Sequence, residues 1–180
     1  GTLGKLYAKA DRIDLGKEIA RLNKIDLSDT AITLLMNDTT TNKDTTSTAV
    51  NWKLMLDQID LDRVAFAMQI PGDSLRLSTY IDKAGLTDGI VDLGSARYSA
   101  SQFLLSGSSL SYDGSYSDPA PGFDPAHIAL NDVNIRIDSL LYGGRDISAR
   151  IKKFSANDRS GLTLSSLTGD ISSDSTTIQV

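Results

Sequence analysis

The feature that most constrains this chain is an alternation of apolar and polar residues that repeatedly changes phase. Ile25-Asp26-Leu27, Ile59-Asp60-Leu61, Val91-Asp92-Leu93 and Ile128-Ala129-Leu130 share an apolar-x-apolar pattern, and Ile13-Asp14-Leu15 is a poorer fifth copy. A period of two is that of a strand with one face covered and the other in water. After each triplet the apolar positions move by one. Ile25 and Leu27 are followed by Ile32 and Leu34, and Ile59 and Leu61 by Val64, Phe66, Met68 and Ile70. Val91 and Leu93 lead to Ala96 and Tyr98, Ile128 and Leu130 to Val133, Ile135 and Ile137, and Ile147, Ala149 and Ile151 to Phe154 and Ala156. In a regular strand such a shift would turn the second apolar set to the wrong face. The intervening polar pairs, such as Asp62-Arg63 and Asn131-Asp132, are therefore expected to hold a bulge or a corner. A bulge bends a strand while keeping one face continuous.

The four better triplets start 34, 32 and 37 residues apart (25 to 59, 59 to 91, 91 to 128), which suggests one strand pair or meander per loose repeat. The acidic residues agree with strands. Of 23 acidic side chains 22 are Asp and only Glu18 is Glu. Glu favours helices, whereas Asp hydrogen-bonds nearby backbone and favours turns and strand ends. Asp26, Asp60 and Asp92 take the outward place between apolar neighbours, and Asp29, Asp62 and Asp132 fall at the slips. Between the strands lie a Thr-rich loop (Asp38 to Thr48), a tight turn at Pro71-Gly72-Asp73, a Pro-rich loop from Asp113 to Pro125 and a hairpin at Tyr142 to Asp146. Only Gly16 to Asn23, with Ile19 and Leu22 three apart, reads as helical. The expected fold is mostly β: an elongated, curved or rolled, antiparallel-rich sheet of loosely repeated bent strands (β-taco or solenoid-like), with at most one short helix. Residues 1–180 read as one β-rich segment excised from a longer repeat protein, with Gly1 a cleavage scar.

The search for chemistry excludes more than it finds. His127 is the one His and Cys is absent, so there is no disulfide framework, no Cys nucleophile and no tetrahedral zinc site. A general base at His127 would need a nucleophile and an orienting acid; the ordinary reading is a solvated His at a strand end. Asp113, Asp118 and Asp124 are calcium candidates, sharing a loop with Gly114 and Gly122, but their spacing fits no twelve-residue calcium loop. Gly85, Gly89 and Gly94 are spaced wrongly for phosphate or dinucleotide binding. A net charge of −5 and scattered basic residues disfavour nucleic acid. A paired-carboxylate glycosidase is opposed by the single Trp52. No cofactor is implied, and no apolar run reaches the length of a spanning helix. What remains is a large aliphatic face, either the closed core of a sandwich or an open curved sheet that takes an apolar ligand.

Several segments resemble the AsmA-like superfamily, in particular the TamB-type translocation and assembly module proteins of Bacteroidetes. They are Ile135-Arg136-Ile137-Asp138-Ser139-Leu140-Leu141-Tyr142, Ile147-Ser148-Ala149-Arg150-Ile151 and Ser160-Gly161-Leu162-Thr163-Leu164-Ser165-Ser166-Leu167. Ala10 to Leu15 and Lys24 to Ile32 are similar to the "IDL" strands of that family. The resemblance implies a periplasm-spanning envelope protein, anchored in the membrane through a segment absent from this chain. Such a protein has a groove-shaped sheet that conducts phospholipid and serves outer-membrane assembly. On that reading the chain is non-enzymatic. Its partners would be phospholipid acyl chains and outer-membrane assembly proteins, with Ile59, Leu61, Val64, Phe66, Met68, Ile128, Leu130, Val133, Ile135 and Ile137 facing the lipid. The Asp38–Thr48 and Asp113–Pro125 loops depart from the pattern and put an uninterrupted groove in doubt. The alternative is a structural or carbohydrate-associated β-solenoid or sandwich domain with a closed core.

Overall fold

A computed structural model describes residues 1–36, 50–143, 146–173 and 178–179. Within them each alternating segment is a strand. These are β1 (Lys5–Asp14), β2 (Ile19–Leu35), β3 (Lys53–Ile70), β4 (Leu75–Asp92), β5 (Arg97–Asp113), β6 (His127–Gly143), β7 (Asp146–Asp158), β8 (Thr163–Ser173) and β9 (Ile178–Gln179). They form one nine-stranded sheet in sequence order. Every neighbouring pair is antiparallel except β2 and β3, which run parallel. The 34-residue spacing is the register of that parallel pair: Ile25 lies beside Ile59, Asp26 beside Asp60 and Leu27 beside Leu61.

The slips are built as left-handed residues inside strands. Asp29 in β2 (φ 51°), Arg63 in β3 (φ 53°), Gly107 in β5 (φ 58°) and Asp132 in β6 (φ 50°) each interrupt the alternation. The register lines them up. Asp29 and Arg63 sit between the same two rungs, Ser28–Asp62 and Thr30–Val64, and Asp82 of β4 faces Arg63 between Lys83–Asp62 and Ile81–Val64. A second row crosses the sheet at Asp57, Asp88 (φ 49°), Ser101 and Ser139 (φ 60°). β7 bulges as well, since its register slips between Ile151 and Phe154.

From β2 to β5 the register stays in step through these residues, so they are corners shared by neighbouring strands, and the two rows crease the sheet along lines perpendicular to the strands, the first from β2 to β7 and the second from β3 to β6. Burial shows which way it bends. Most of the buried residues lie next to the creases: Thr30, Val64, Ser108, Val133 and Ala156 at the first, Leu56, Gly89 and Ala100 at the second. All lie on the aliphatic face, so that face is the inside of the bend. Gly89 is needed there, since a Cβ at this position would come within 2.6 Å of Leu86 Cδ2 and 3.3 Å of Leu56 Cβ.

Three expectations are corrected. Gly16 to Asn23 is a turn followed by the start of β2, and among the described residues the one helical element is the 3-10 turn Pro71–Asp73. The shift after Val91 and Leu93 is a chain reversal between β4 and β5. Asp92 Oδ1 accepts the Ser95 N–H at 3.0 Å, and Ala96 is left-handed at φ 50°. Ile13-Asp14-Leu15-Gly16 makes the same turn, with Lys17 N donating to Asp14 Oδ1 at 3.1 Å and Glu18 at φ 54°. Finally, no closed core forms among the described residues, because strands pack substantially only on their neighbours in the sheet. The accessible surface of 11718 Å2 accordingly exceeds the roughly 8,500 Å2 of a compact monomer of this mass. The Thr-rich loop and Gly144-Arg145 of the last hairpin lie outside the described residues.

Candidate functional site

Partners across a ladder project to the same side of a sheet, so the register fixes which residues share the inner face. The candidates on β3 and those on β6 prove to be the ends of common rungs. Ile59 reaches Ile137 through Leu86 and Phe103, and Leu61 reaches Ile135 through Ala84 and Leu105. Phe66 reaches Leu130 through Thr79 and Leu110, and Met68 reaches Ile128 through Leu77 and Tyr112. Val64 pairs with Ile81, and Val133 with Ser108, at the first crease. The face continues through Ile25 and Leu27 on one side and Ile151 and Phe154 on the other. Val64 and Val133 are buried at the crease, 4% and 5% exposed. The other eight candidates are half-buried, covered by flanking side chains and by no second layer. The rungs were missed in β4 and β5 because the triplet pattern is broken there by Ala84, Thr79 and Ser108.

At about 4.8 Å between strands, the trough from β2 to β7 runs for roughly 24 Å along the strand order. A hydrocarbon core of about 30 Å holds two acyl chains end to end, so the trough exceeds the length of one chain. The Asp113–Pro125 loop does not interrupt it. Tyr112 still pairs with Ile128, and the loop turns aside above the strand ends, where Tyr116 Oη donates to Pro71 O at 3.2 Å and the Arg76 guanidinium lies 5.1 Å from the Tyr116 ring.

The outer face carries the charge. Asp26 and Asp60 lie abreast in the parallel pair, and Lys24 Nζ bridges them at 3.1 and 3.7 Å. The hydrogen bond to Asp26 raises the Lys24 pKa. At the first crease Arg63 grips Asp29 with both arms, Nε to Oδ1 at 2.7 Å and Nη2 to Oδ2 at 3.0 Å. These bonds hold the Asp29 carboxyl below the usual carboxylate range. Hydroxyls stitch the same crease: Thr30 Oγ1 donates to Ser28 O across Asp29, and Ser108 Oγ to Ser106 O across Gly107.

His127 is not the solvated residue expected at a strand end. It is 4% exposed, with Nδ1 3.0 Å from Asp113 Oδ1 and Nε2 3.1 Å from Ser115 Oγ and 3.3 Å from Ser117 Oγ. Asp113 and His127 pair across the last rung of β5 and β6, so the cluster clamps the foot of the loop. Its order matches an acid–base–hydroxyl relay, but the Ser115 hydroxyl is engaged by Ser117, through its hydroxyl at 2.6 Å and its N–H at 3.2 Å. Of the calcium candidates, Asp113 is spent on His127, and Asp124 accepts the Ala120 and Ala126 N–H groups. Asp118 is exposed. Among the described residues no three His or carboxylate side chains gather as a metal site, and no helix is long and apolar enough to cross a membrane.

Comparison with protein-family models, with curated proteins and with solved structures finds no match to this chain.

Proposed function

We propose that this chain is a non-enzymatic segment of an envelope protein, similar to the TamB-type bridges of the AsmA-like superfamily, whose inner face carries phospholipid acyl chains between membranes. One observation carries the reading: a creased single-layer sheet leaves a continuous aliphatic face uncovered. The patch between β3 and β6 alone measures roughly 14 by 30 Å, the size of the largest apolar patches on monomers, which are often functional. A flexible hydrocarbon chain suits such a face, because burial is non-directional and follows area. The trough axis runs along the strand order, so further strands at either edge would lengthen it without altering its section. On this reading the protein works in the periplasm, anchored elsewhere in its chain, and serves outer-membrane assembly together with assembly proteins.

A photo-crosslinking residue at Phe66 or Ile135, in the full-length protein in cells, tests this. Phospholipid adducts are expected at both positions, and not at Ala65, which neighbours Phe66 on the opposite face. Adducts elsewhere in the protein, with none at Phe66 and Ile135, would exclude this segment from the lipid path.

A further inference from the structure

β1 has a strand on one side alone, β2. Half of the backbone donors and acceptors of Lys5–Asp14, spread over about 34 Å, therefore face outward as a template for a further strand. Its aliphatic side chains are bare as well. Leu6 and Ile13 extend the rungs of Leu27 and Ala20 but are 56% and 58% exposed, whereas Ile25 and Leu27, with strands on both sides, are half-buried. The sequence of β1 specifies what fits there. When a second β1 lies antiparallel to the first, Lys5 falls opposite Asp14, Leu6 opposite Ile13 and Tyr7 opposite Arg12, with Lys9 opposite Ala10 at the centre. Each pair occurs twice, about a two-fold axis between Lys9 and Ala10. The bulge of β1 between Lys9 and Arg12 makes the two arms agree. It shifts the alternation by one, so Leu6 and Ile13 share the aliphatic face while Lys5, Tyr7, Arg12 and Asp14 share the outer one. Across strands, opposite charges and a cation beside an aromatic ring are favourable, and like charges directly opposite are not. Sliding one copy by two residues brings Arg12 opposite Lys5 or Lys9, so the charges select this register.

We propose that β1 is a self-association edge whose partner is a second copy of this chain. The two-fold axis stands perpendicular to the sheet, so both aliphatic faces lie on the same side. A rung through Leu27 and Leu6 of one copy then continues into Ile13 and Ala20 of the other. Both open β1 edges are used up in one isologous contact, which closes the assembly at two. Strand pairing without a second layer buries less than the roughly 1,200 Å2 of stable complexes, so the dimer is weak. The two Lys9 side chains flank the axis with like charge and weaken it further. The pairing holds whether or not the aliphatic face carries lipid.

Sedimentation equilibrium of the 180-residue chain from about 1 to 100 μM, the range of weak association, is expected to show monomer and dimer and nothing larger. Lys5→Glu puts a carboxylate opposite Asp14 in both arms and should weaken dimerisation at least about tenfold. Lys9→Ala removes the like charges at the axis and should tighten it. Both side chains are exposed, so the melting temperature of each variant at low concentration is expected to match that of the parent. The register is read with cysteine, which the chain lacks. Leu6→Cys mixed with Ile13→Cys should give a disulfide-linked dimer on mild oxidation. Neither variant should do so alone, since identical positions of the two copies lie about 24 Å apart along the strands. A chain that stays monomeric up to about 100 μM, a dimer indifferent to Lys5→Glu, or one without the cross-link between positions 6 and 13 would overturn the proposal. Growth beyond the dimer would overturn it too, because it would join β1 to the opposite edge of the sheet in an open head-to-tail chain.

Discussion

Two kinds of Ile-Asp-Leu segment occupy this sheet, alike in composition and opposite in outcome. Ile25-Asp26-Leu27 and Ile59-Asp60-Leu61 continue straight into a left-handed residue, Asp29 or Arg63, and out again as strand. Ile13-Asp14-Leu15 and Val91-Asp92-Leu93 end their strands and reverse the chain. The residue after Leu separates them: Ser28 and Asp62 in the first pair, Gly16 and Gly94 in the second. At Gly94 a Cβ would come within 3.1 Å of Asn51 Oδ1 and 3.5 Å of its Cα, so this turn is packed closely against the chain entering β3. In the first pair Asp faces solvent from mid-strand; in the second its carboxylate caps the turn. One repeated motif thus supplies both the creases that give the trough its section and the hairpins that set its length.

The largest effect should come from the crease. Val64→Asp places an unpaired carboxyl on the inside of the bend and is expected to cost more than about 3 kcal/mol, read from urea unfolding. Val64→Ala removes only two methyl groups and should cost about 1.5–2 kcal/mol. If Val64→Asp proves as mild as Val64→Ala, the crease is open to water and its inside is no core. Next comes Gly107→Val, expected at about 2–3 kcal/mol. It puts a β-branched residue at φ 58° with its Cβ 3.3 Å from Asp82 Oδ2, adding contact strain to the left-handed cost of about 1–2 kcal/mol. Gly161 has φ 88° in the β7–β8 turn, and no atom lies within 4 Å of its would-be Cβ. Gly161→Val should therefore show the backbone cost alone. Equal losses at the two glycines would mean that the crease adds nothing to a local conformational preference.

Much of this fold was legible because strand physics writes itself as period two. The slips at Asp62-Arg63 and Asn131-Asp132 mark left-handed residues, and the rungs joining β3 to β6 follow from the aliphatic positions named on those two strands. Two things escaped. The Val91 triplet reads as a bent strand because its Asp and Leu match the others, and the one discriminating residue, Gly94, lies just beyond the triplet. The parallel pairing of β2 with β3 left its trace in the 34-residue spacing, but equal spacing also suits a hairpin repeat. The His127 clamp depends on how a loop closes over its own two strand ends, with Asp113 and His127 only 14 residues apart. No local period records such a closure.

The smallest effect separates the crease from the turn electrostatically. Asp29, Asp14, Asp92, Asp124 and Asp158 all titrate below the ordinary carboxylate range. An unfolded Asp takes its proton near pH 3.9, so as pH falls below about 5 the unfolded chain binds protons that the folded chain still refuses. Stability supplied by these groups is present in full above that value and is lost as pH falls through the folded pKa values. The melting temperature should therefore drop between about pH 5 and pH 2. The causes differ, however. Asp29 is lowered first by the exposed Arg63 guanidinium, whereas Asp92 is lowered first by the Ser95 backbone N–H. In 1 M salt the Debye length falls to about 3 Å, which screens much of the longer-range attraction of an exposed ion pair but little of a hydrogen bond to an amide. Asp29→Asn should flatten the acid limb more at low salt than at high salt, where the two hydrogen bonds to Arg63 keep part of the effect. Asp92→Asn should flatten it equally in both. If salt erased the two effects alike, the turn carboxylate would be working through charge rather than through its bonds to the backbone, and the distinction between the two kinds of Asp would fall.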